Sequence, residues 1–193
     1  MKAVRPNSKQ ARPGDARKVF SGKIFDVYQW EQQMFDGSKA VFEQLKRPDT
    51  VEVVPVLASG KILIVEEEQP GKDVFLSLPG GRVDDGEDVE SAALRELNEE
   101  TGYSADSVEL WEATQPVGKI DWAVFTFIAR NVYKSGDQKL DAGEKVTVRE
   151  VTFDEFLQIA REGKLWDHLT IEAYKAAQDP EYYAVLKKKF GVQ

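Results

Sequence analysis

Cysteine is absent from the 193 residues, which excludes disulfides, thiolate zinc sites and cysteine nucleophiles together. A reducing cytoplasm is the expected setting. Histidine occurs once, at His168, beside Trp166 and Asp167 at a predicted helix start, where a structural role is expected rather than a catalytic one. No stretch approaches the ~18 uninterrupted apolar residues of a membrane helix. A soluble chain with no membrane partner is expected. Internal repeats and low-complexity tracts are also missing. Net positive charge is confined to the first 18 residues: Lys2, Arg5, Lys9, Arg12, Arg17 and Lys18 against Asp15 give that segment +5, so with a total of -8 residues 19–193 carry -13. Such an acidic body makes nucleic acid an unlikely partner, and acting on a polyanion would require metal ions. The basic segment lacks an apolar stretch after it, so it is expected to be a flexible arm rather than a secretory signal.

A hydrophobic share of 41 % with 31 % charged residues is a globular balance, and the length suits one catalytic domain plus appendages. The expected division is a basic arm over 1–17, an N-terminal β extension over 18–47 and a catalytic domain over 48–193 with C-terminal helices. In the extension, Phe35-Asp36-Gly37-Ser38 offers a hairpin turn between Val27–Met34 and Ala40–Leu45. Val51–Leu57 and Lys61–Val65 are β-branched runs joined at Ser59-Gly60, and Val74–Leu78 leads into Pro79-Gly80-Gly81. From Asp88 to Thr101 the apolar residues Val89, Ala92, Ala93 and Leu97 keep helical spacing, with Gly102 at the C-cap. Strand patterns return at Val108–Thr114, Trp122–Val132 and Lys145–Val151. Thr152-Phe153-Asp154-Glu155 then has the capping-box form and opens a helix ending near Gly163. Two more helices are predicted, over Thr170–Gln178 and, behind Asp179, over Pro180–Phe190 with Gly191 following.

Chemistry concentrates after the glycine pair. Gly81 is followed after five residues by Glu87 and after seven more by Arg95-Glu96-Leu97-Asn98-Glu99-Glu100-Thr101-Gly102-Tyr103. Glu96, Glu99 and Glu100 stand at i, i+3 and i+4 and crowd three carboxylates onto one helix face. A hard divalent cation such as magnesium takes oxygen ligands and relieves that repulsion. Three glutamates alone would more often be an ordinary solvated face; the complete pattern reverses the odds. Arg95 is expected to point away from the trio by one helical step. Gly80 and Gly81 let the backbone approach a cation or phosphate closely, the rival being a plain tight turn.

These residues resemble the Nudix box at every defined position, with Tyr103 in a final slot that is usually aliphatic. The resemblance implies an α/β fold, a Nudix α/β/α sandwich with a mixed central sheet and an N-terminal β extension. It implies Glu96, Glu99, Glu100 and the Gly80 carbonyl as ligands of Mg2+, with Mn2+ as the alternative, and Arg95 with Glu87 as supports between loop and helix. Over roughly residues 18–177 the chain is most similar to the ADP-ribose and nucleoside-diphosphate-sugar pyrophosphatase branch. Arg47-Pro48-Asp49-Thr50-Val51, Gln69-Pro70, and Glu144 ahead of Val146 and Val148 carry that likeness. The branch implies hydrolysis of a nucleoside diphosphate derivative to a nucleoside monophosphate and a sugar phosphate, a homodimer built through the β extension, and Glu144 as general base. Asp141 and then Glu99 are the fallbacks for the base.

The residues expected to face substrate are Trp30, Tyr28, Gln69 and Gly81. Trp30 and Tyr28, with Phe25, either stack on a base, as aromatics there do in the branch, or pack the hairpin, and packing is favoured. Gln69 stands where branch members usually carry arginine and follows Glu66-Glu67-Glu68. Pro116-Val117-Gly118 and Asp121-Trp122 also depart from the branch pattern. The exact substrate therefore stays open. Nucleoside triphosphates or dinucleotide polyphosphates are the alternative substrates, and a noncatalytic nucleotide-sensing domain is the rival from another class, although such domains typically lose box glutamates that this chain keeps.

Overall fold

The computed structural model describes residues 3–165 and 167–192. Lys2 and Trp166, which entered the expectations above, lie outside the described residues, as does the side chain of Asp167.

Among the described residues, twelve strands and four helices follow one another as β1 (Arg17–Ser21), β2 (Asp26–Gln33), β3 (Lys39–Lys46), β4 (Thr50–Leu57), β5 (Ile62–Glu68), β6 (Phe75–Ser77), β7 (Gly80–Arg82), α1 (Val89–Thr101), β8 (Tyr103–Ser104), β9 (Glu109–Thr114), β10 (Ile120–Asp121), β11 (Val124–Lys134), β12 (Lys145–Val151), α2 (Phe153–Arg161), α3 (Asp167–Gln178) and α4 (Pro180–Phe190). The β extension closes as expected: β2 and β3 pair from Gln33↔Lys39 to Asp26↔Lys46, and Asp36 accepts from the Ser38 N–H at 2.9 Å inside the turn. Strand β1 adds to the outer edge of β2, and β10 pairs in parallel with β3, making a four-stranded sheet.

The central sheet runs β12-β5-β4-β11-β8, with β6 on β5, β7 on β4 and β9 on β11. Strands β4 and β11 are parallel over eight register pairs, whereas β12–β5 and β9–β11 are antiparallel, so the sheet is mixed. Alternation along the apolar run of β4 decides the layers. Val51 and Val53 pack with Ala92, Ala93 and Leu97 of α1 on one face. Val54 and Val56 pack with residues of α2, α3 and α4 on the other. Both faces being covered explains a near-continuous hydrophobic strand, and the expected α/β/α sandwich is found.

Caps fix the helix ends near the cleft. Asp88 accepts from the Ser91 N–H at the start of α1, and left-handed Gly102 ends it with φ 69°. Thr152 and Glu155 form both bonds of a capping box on α2. Helix α3 begins earlier than the periodicity predicted, and its His168 reaches the central strands: Nε2 lies 3.1 Å from Glu52 Oε1 and 3.1 Å from Thr126 Oγ1, with Glu52 only 3 % exposed. Burial pulls the imidazole pKa down, but the bond and charge of Glu52 outweigh it and the net shift is upward. This is the structural setting expected for the single histidine.

Residues 3–16 contain no helix or strand, yet they make specific contacts along the domain. Arg5 bonds Asp49 at 2.6 and 2.9 Å and Asp121 at 2.8 Å, Gln115 accepts from the Lys9 N–H at 2.8 Å, and Gln44 donates to the Gln10 carbonyl at 2.8 Å. The excess positive charge of this segment is thus partly matched with the acidic body.

Candidate active site

Helix α1 and the β7 turn form the floor of a cleft of about 700 Å³. The helix buries Ala93, Leu97, Glu100 and Thr101 along one stripe, so Glu100 goes down with its apolar neighbours while Glu96 and Glu99 stand nearer the rim. Backbone proximity at the turn depends on the two glycines. A Cβ on Gly80 would collide with the Val51 carbonyl and lie 2.8 Å from Glu52 Cα, and one on Gly81 would lie 2.6 Å from Glu96 Cδ. Their lack of side chains lets strand β7 lie on β4 and the Glu96 carboxylate lie against Gly81.

Each box carboxylate has a defined partner. The Gly80 N–H donates to Glu100 Oε2 at 2.9 Å. Arg95 donates through Nη1 to Glu96 Oε1 at 2.8 Å and to Glu99 Oε2 at 3.0 Å, through Nε and Nη2 to Glu87 at 2.9 Å each, and through Nη2 to the Arg82 carbonyl at 2.9 Å. The expectation that Arg95 points away from the trio is therefore corrected. Its Cα is one step off that face, but its long side chain folds back, because carboxylates crowded on one helix face attract the nearest cation. The tie from Glu87 to Arg95 to the Arg82 carbonyl joins loop to helix.

Electrostatics record how crowded the floor is. Burial drives the Glu100 pKa up to about 9, against the bond from Gly80 and with the charges of Glu67, Glu96 and Glu144, in that order, pushing further. Burial also raises Glu96, partly offset by Arg95, while Arg95 holds Glu87 below the usual carboxylate range.

The connection from β11 to β12 supplies the second wall. Carbonyls at a helix C-terminus lack intrahelical partners, and here the loop satisfies them: the Lys139 N–H donates to Glu99 O at 2.7 Å, Gln138 Nε2 donates to Glu100 O and to Val146 O, and the Ser135 N–H donates to Gly102 O at 2.9 Å. The loop is thereby held against the end of α1. Glu144 is half-buried, its backbone N–H donates to Asp141 O at 3.0 Å, and one of its carboxylate oxygens lies 3.3 Å from the Asp141 N–H.

Of the residues singled out in the sequence, Gly80, Gly81, Glu96, Glu99, Glu100, Arg95, Glu144, Asp141 and Gln69 all line this cleft. Trp30 and Tyr28 do not. Trp30 is 6 % exposed and packs near Phe42 with ring centroids 6.1 Å apart, and the Arg12 guanidinium lies 4.0 Å from the Tyr28 ring centroid. Within this chain the two rings belong to the extension sheet. The sequence reading missed Arg47, Arg82, Lys72, Lys139 and Glu67, which also line the cleft. Arg47 lies over the Trp122 ring at 4.6 Å, and burial and then neighbouring Arg82 lower its pKa. No periodicity marks residues that a fold gathers from five separate loops and strand ends; the acidic run at Glu66-Glu67-Glu68 was the one available signal.

Among the described residues, no three carboxylate or imidazole groups are already gathered at ligating distances. The donor set nonetheless fits a hard cation. It is all oxygen, the glycine cradle admits the Glu96 carboxylate to the backbone, and the floor concentrates negative charge that Arg95 only partly balances. Cations at Arg47, Arg82, Lys72 and Lys139 ring the same space, an arrangement suited to a polyanion held with metal.

Comparison with known proteins agrees with this architecture. Residues 46–171 match the NUDIX domain. The ADP-ribose pyrophosphatase of Bacillus subtilis (strain 168) is 33 % identical over 165 residues, 83 % of this chain and 89 % of that protein. The methanol dehydrogenase activator of Bacillus methanolicus is 31 % identical over the same shares of both chains. A solved structure described as an ADP compounds hydrolase superposes with a TM-score of 0.64 at 20 % identity, over 81 % of this chain and 85 % of its own, which bears on the fold alone. Box spacing, a glycine-cradled helix of glutamates and a domain match covering most of the chain lead to one conclusion: this protein belongs to the NUDIX domain family.

Proposed function

We propose that this protein is a Nudix pyrophosphohydrolase that cleaves the diphosphate linkage of a nucleoside diphosphate derivative of the ADP-ribose or nucleotide-sugar type, releasing a nucleoside monophosphate and a sugar phosphate. The carrying observation is the convergence, in one cleft, of Glu96, Glu99, Glu100, Gly80 and Glu144 with the cations Arg47, Arg82, Lys72 and Lys139. Carboxylates alone would repel a diphosphate; cations alone would bind it without activating water. The similarity to ADP-ribose pyrophosphatase over most of both chains supports the substrate class.

Glu96, Glu99, Glu100 and the Gly80 carbonyl would hold divalent metal, Mg2+ in the first instance and Mn2+ as the alternative. Bound there, the metal supplies charge neutralisation for the diphosphate and acidifies water. Arg95 and Glu87 hold the β7 turn to α1. Arg47 and Arg82 bind the non-bridging phosphate oxygens, and Gln69 with Lys72 contacts the same group from the β5–β6 loop. Glu144 accepts the proton of the attacking water as it adds to phosphorus, on a loop whose attachment to α1 keeps the carboxylate beside the box. Gly81 gives the phosphate access to the backbone.

A homodimer formed through residues 18–47, a basic arm before them that lies against the domain through Arg5 and Lys9, and a cytoplasmic setting complete the proposal. Among the described residues, no helix is long and apolar enough to cross a membrane. Product analysis after incubation with ADP-ribose, other nucleotide sugars, dinucleotide polyphosphates and nucleoside triphosphates, each with and without Mg2+, tests the assignment. Metal-dependent release of a nucleoside monophosphate from the first two groups is expected. Turnover confined to triphosphates, or unchanged in excess chelator, would refute it.

A further inference from the structure

Three consecutive glutamates end β5, and the structure treats them differently. Glu66 pairs with Arg149 at 3.4 Å and Glu68 with Lys145 at 2.5 Å, both across the β5–β12 ladder. Glu67 has no cation within ion-pair distance among the described residues. Strand alternation turns it the other way, toward the face of the sheet covered by α1, where Leu63 of the same strand packs. It lines the cleft with Gly80, Glu96 and Glu100.

Glu67 is also held in place. Ser77 Oγ donates to one carboxylate oxygen and Gln69 Nε2 donates to the other at 3.2 Å, while Lys72 donates to Gln69 Oε1 at 2.9 Å. Ser77 stands three residues before Gly80, on the β6 strand that pairs with β5. Unpaired charge facing other carboxylates is unfavourable without a counter-ion. Yet the neighbouring side chains fix Glu67 there instead of letting it swing to solvent.

We infer that Glu67 is a further ligand of the divalent-cation centre, contributed from β5 opposite the box helix, so that the cation is gripped from two sides of the cleft. This rests on the proposed reading of the cleft as a metal-dependent diphosphatase site. Magnesium commonly takes one or two carboxylates and completes its shell with water and phosphate. A carboxylate across from α1 therefore tightens cation binding before substrate arrives, a property of the free enzyme.

The test is Mn2+ binding to the full-length protein without nucleotide, with free Mn2+ counted by electron paramagnetic resonance. Partners standing behind a ligand change metal affinity by about 10–100-fold, and a direct ligand should count for at least as much. Glu67→Gln should weaken Mn2+ binding at least tenfold, and Glu66→Gln and Glu68→Gln should leave it unchanged. Wild-type affinity in folded Glu67→Gln overturns the inference. Glu67→Asp keeps the charge but withdraws it by one methylene, and it decides the matter if the glutamine variant does not fold: weaker binding supports a ligand, unchanged binding excludes one. Glu96→Gln separates the two levels. If it weakens binding and the Glu67 variants do not, only this inference falls; if none of them alters binding, the reading of the cleft as a cation centre falls with it.

Discussion

Replacing Glu100 by glutamine keeps an acceptor for the Gly80 N–H and removes the ability to ionise, which makes this residue a direct probe of what the floor of the cleft costs. Without metal, the folded state holds the Glu100 proton up to about 9, against an ordinary value near 4.5. Its contribution to stability is therefore complete below the ordinary carboxyl range and is lost as pH rises through about 9. Metal-free Glu100→Gln should show a flatter decline and, at pH 8, a melting temperature no lower than that of the wild type. Its turnover should fall by orders of magnitude, and added Mg2+ should raise its melting temperature less. A wild-type response to Mg2+ in both stability and rate would remove Glu100 from the centre. Glu144 gives the complementary test, since a base acts on the chemical step: Glu144→Gln should lower kcat by about 100-fold to 10,000-fold with substrate affinity nearly intact. Asp141 is exposed and serves Glu144 mainly through its backbone, so Asp141→Asn should do much less. The reverse ranking would transfer the role to Asp141, and small effects in both would leave Glu99.

Elements were legible where their cause is local. Asp88 before an apolar period with glycine behind it predicts α1 to within a residue; the box of Thr152 and Glu155 predicts α2, and Lys145–Val151 is the strand observed. Strands β1 and β10 were not predicted: β10 is two residues long and pairs with β3, 75 residues earlier in the chain, and β1 pairs with neighbouring β2 through an irregular register between Lys18 and Phe20 that breaks its alternation. The same limit applies to the site. Glu96, Glu99 and Glu100 announce themselves by helical spacing, whereas Arg47, Lys72 and Glu67 reach the cleft only once the sheet is assembled. The β11–β12 loop illustrates the long-range kind of cause, as its placement rests on capping the end of α1. Gln138 is central, bridging the Glu100 and Val146 carbonyls. Gln138→Ala should lower stability in urea by about 1–2 kcal/mol, the range for removing the donor to part-buried acceptors, and should reduce kcat more than it raises KM because Glu144 loses its fixed position. Unchanged kcat with the full loss of stability would mean that the loop does not position the base.

At the scale of the whole molecule, the extension sheet poses the remaining physical question. Strands β1, β2, β3 and β10 make a sheet of only four strands, and residues on them stay uncovered within one chain: Val19 is 51 % exposed, Phe20 59 % and Val41 65 %. Val19 and Val41 border one concavity with Trp30, Arg17 and Glu31, an apolar centre rimmed by charge of both signs, which is the composition of a subunit contact. A small sheet of this kind gains stability by packing against another surface. The N-terminal segment meets the sheet through Arg5, which bonds Asp121 of β10, and through Gln10, whose carbonyl accepts from Gln44 of β3. A second copy of the chain is then the natural cover, since a two-fold contact places the same patch against itself. Light scattering at micromolar concentration should give twice the mass of one chain. Val41→Asp should shift that mass toward the monomer, because it buries a carboxylate in the contact while leaving an exposed position of the isolated chain unstrained. Wild-type mass in Val41→Asp would move the contact elsewhere on the surface, and a monomeric wild type with full activity would dispense with the dimer altogether.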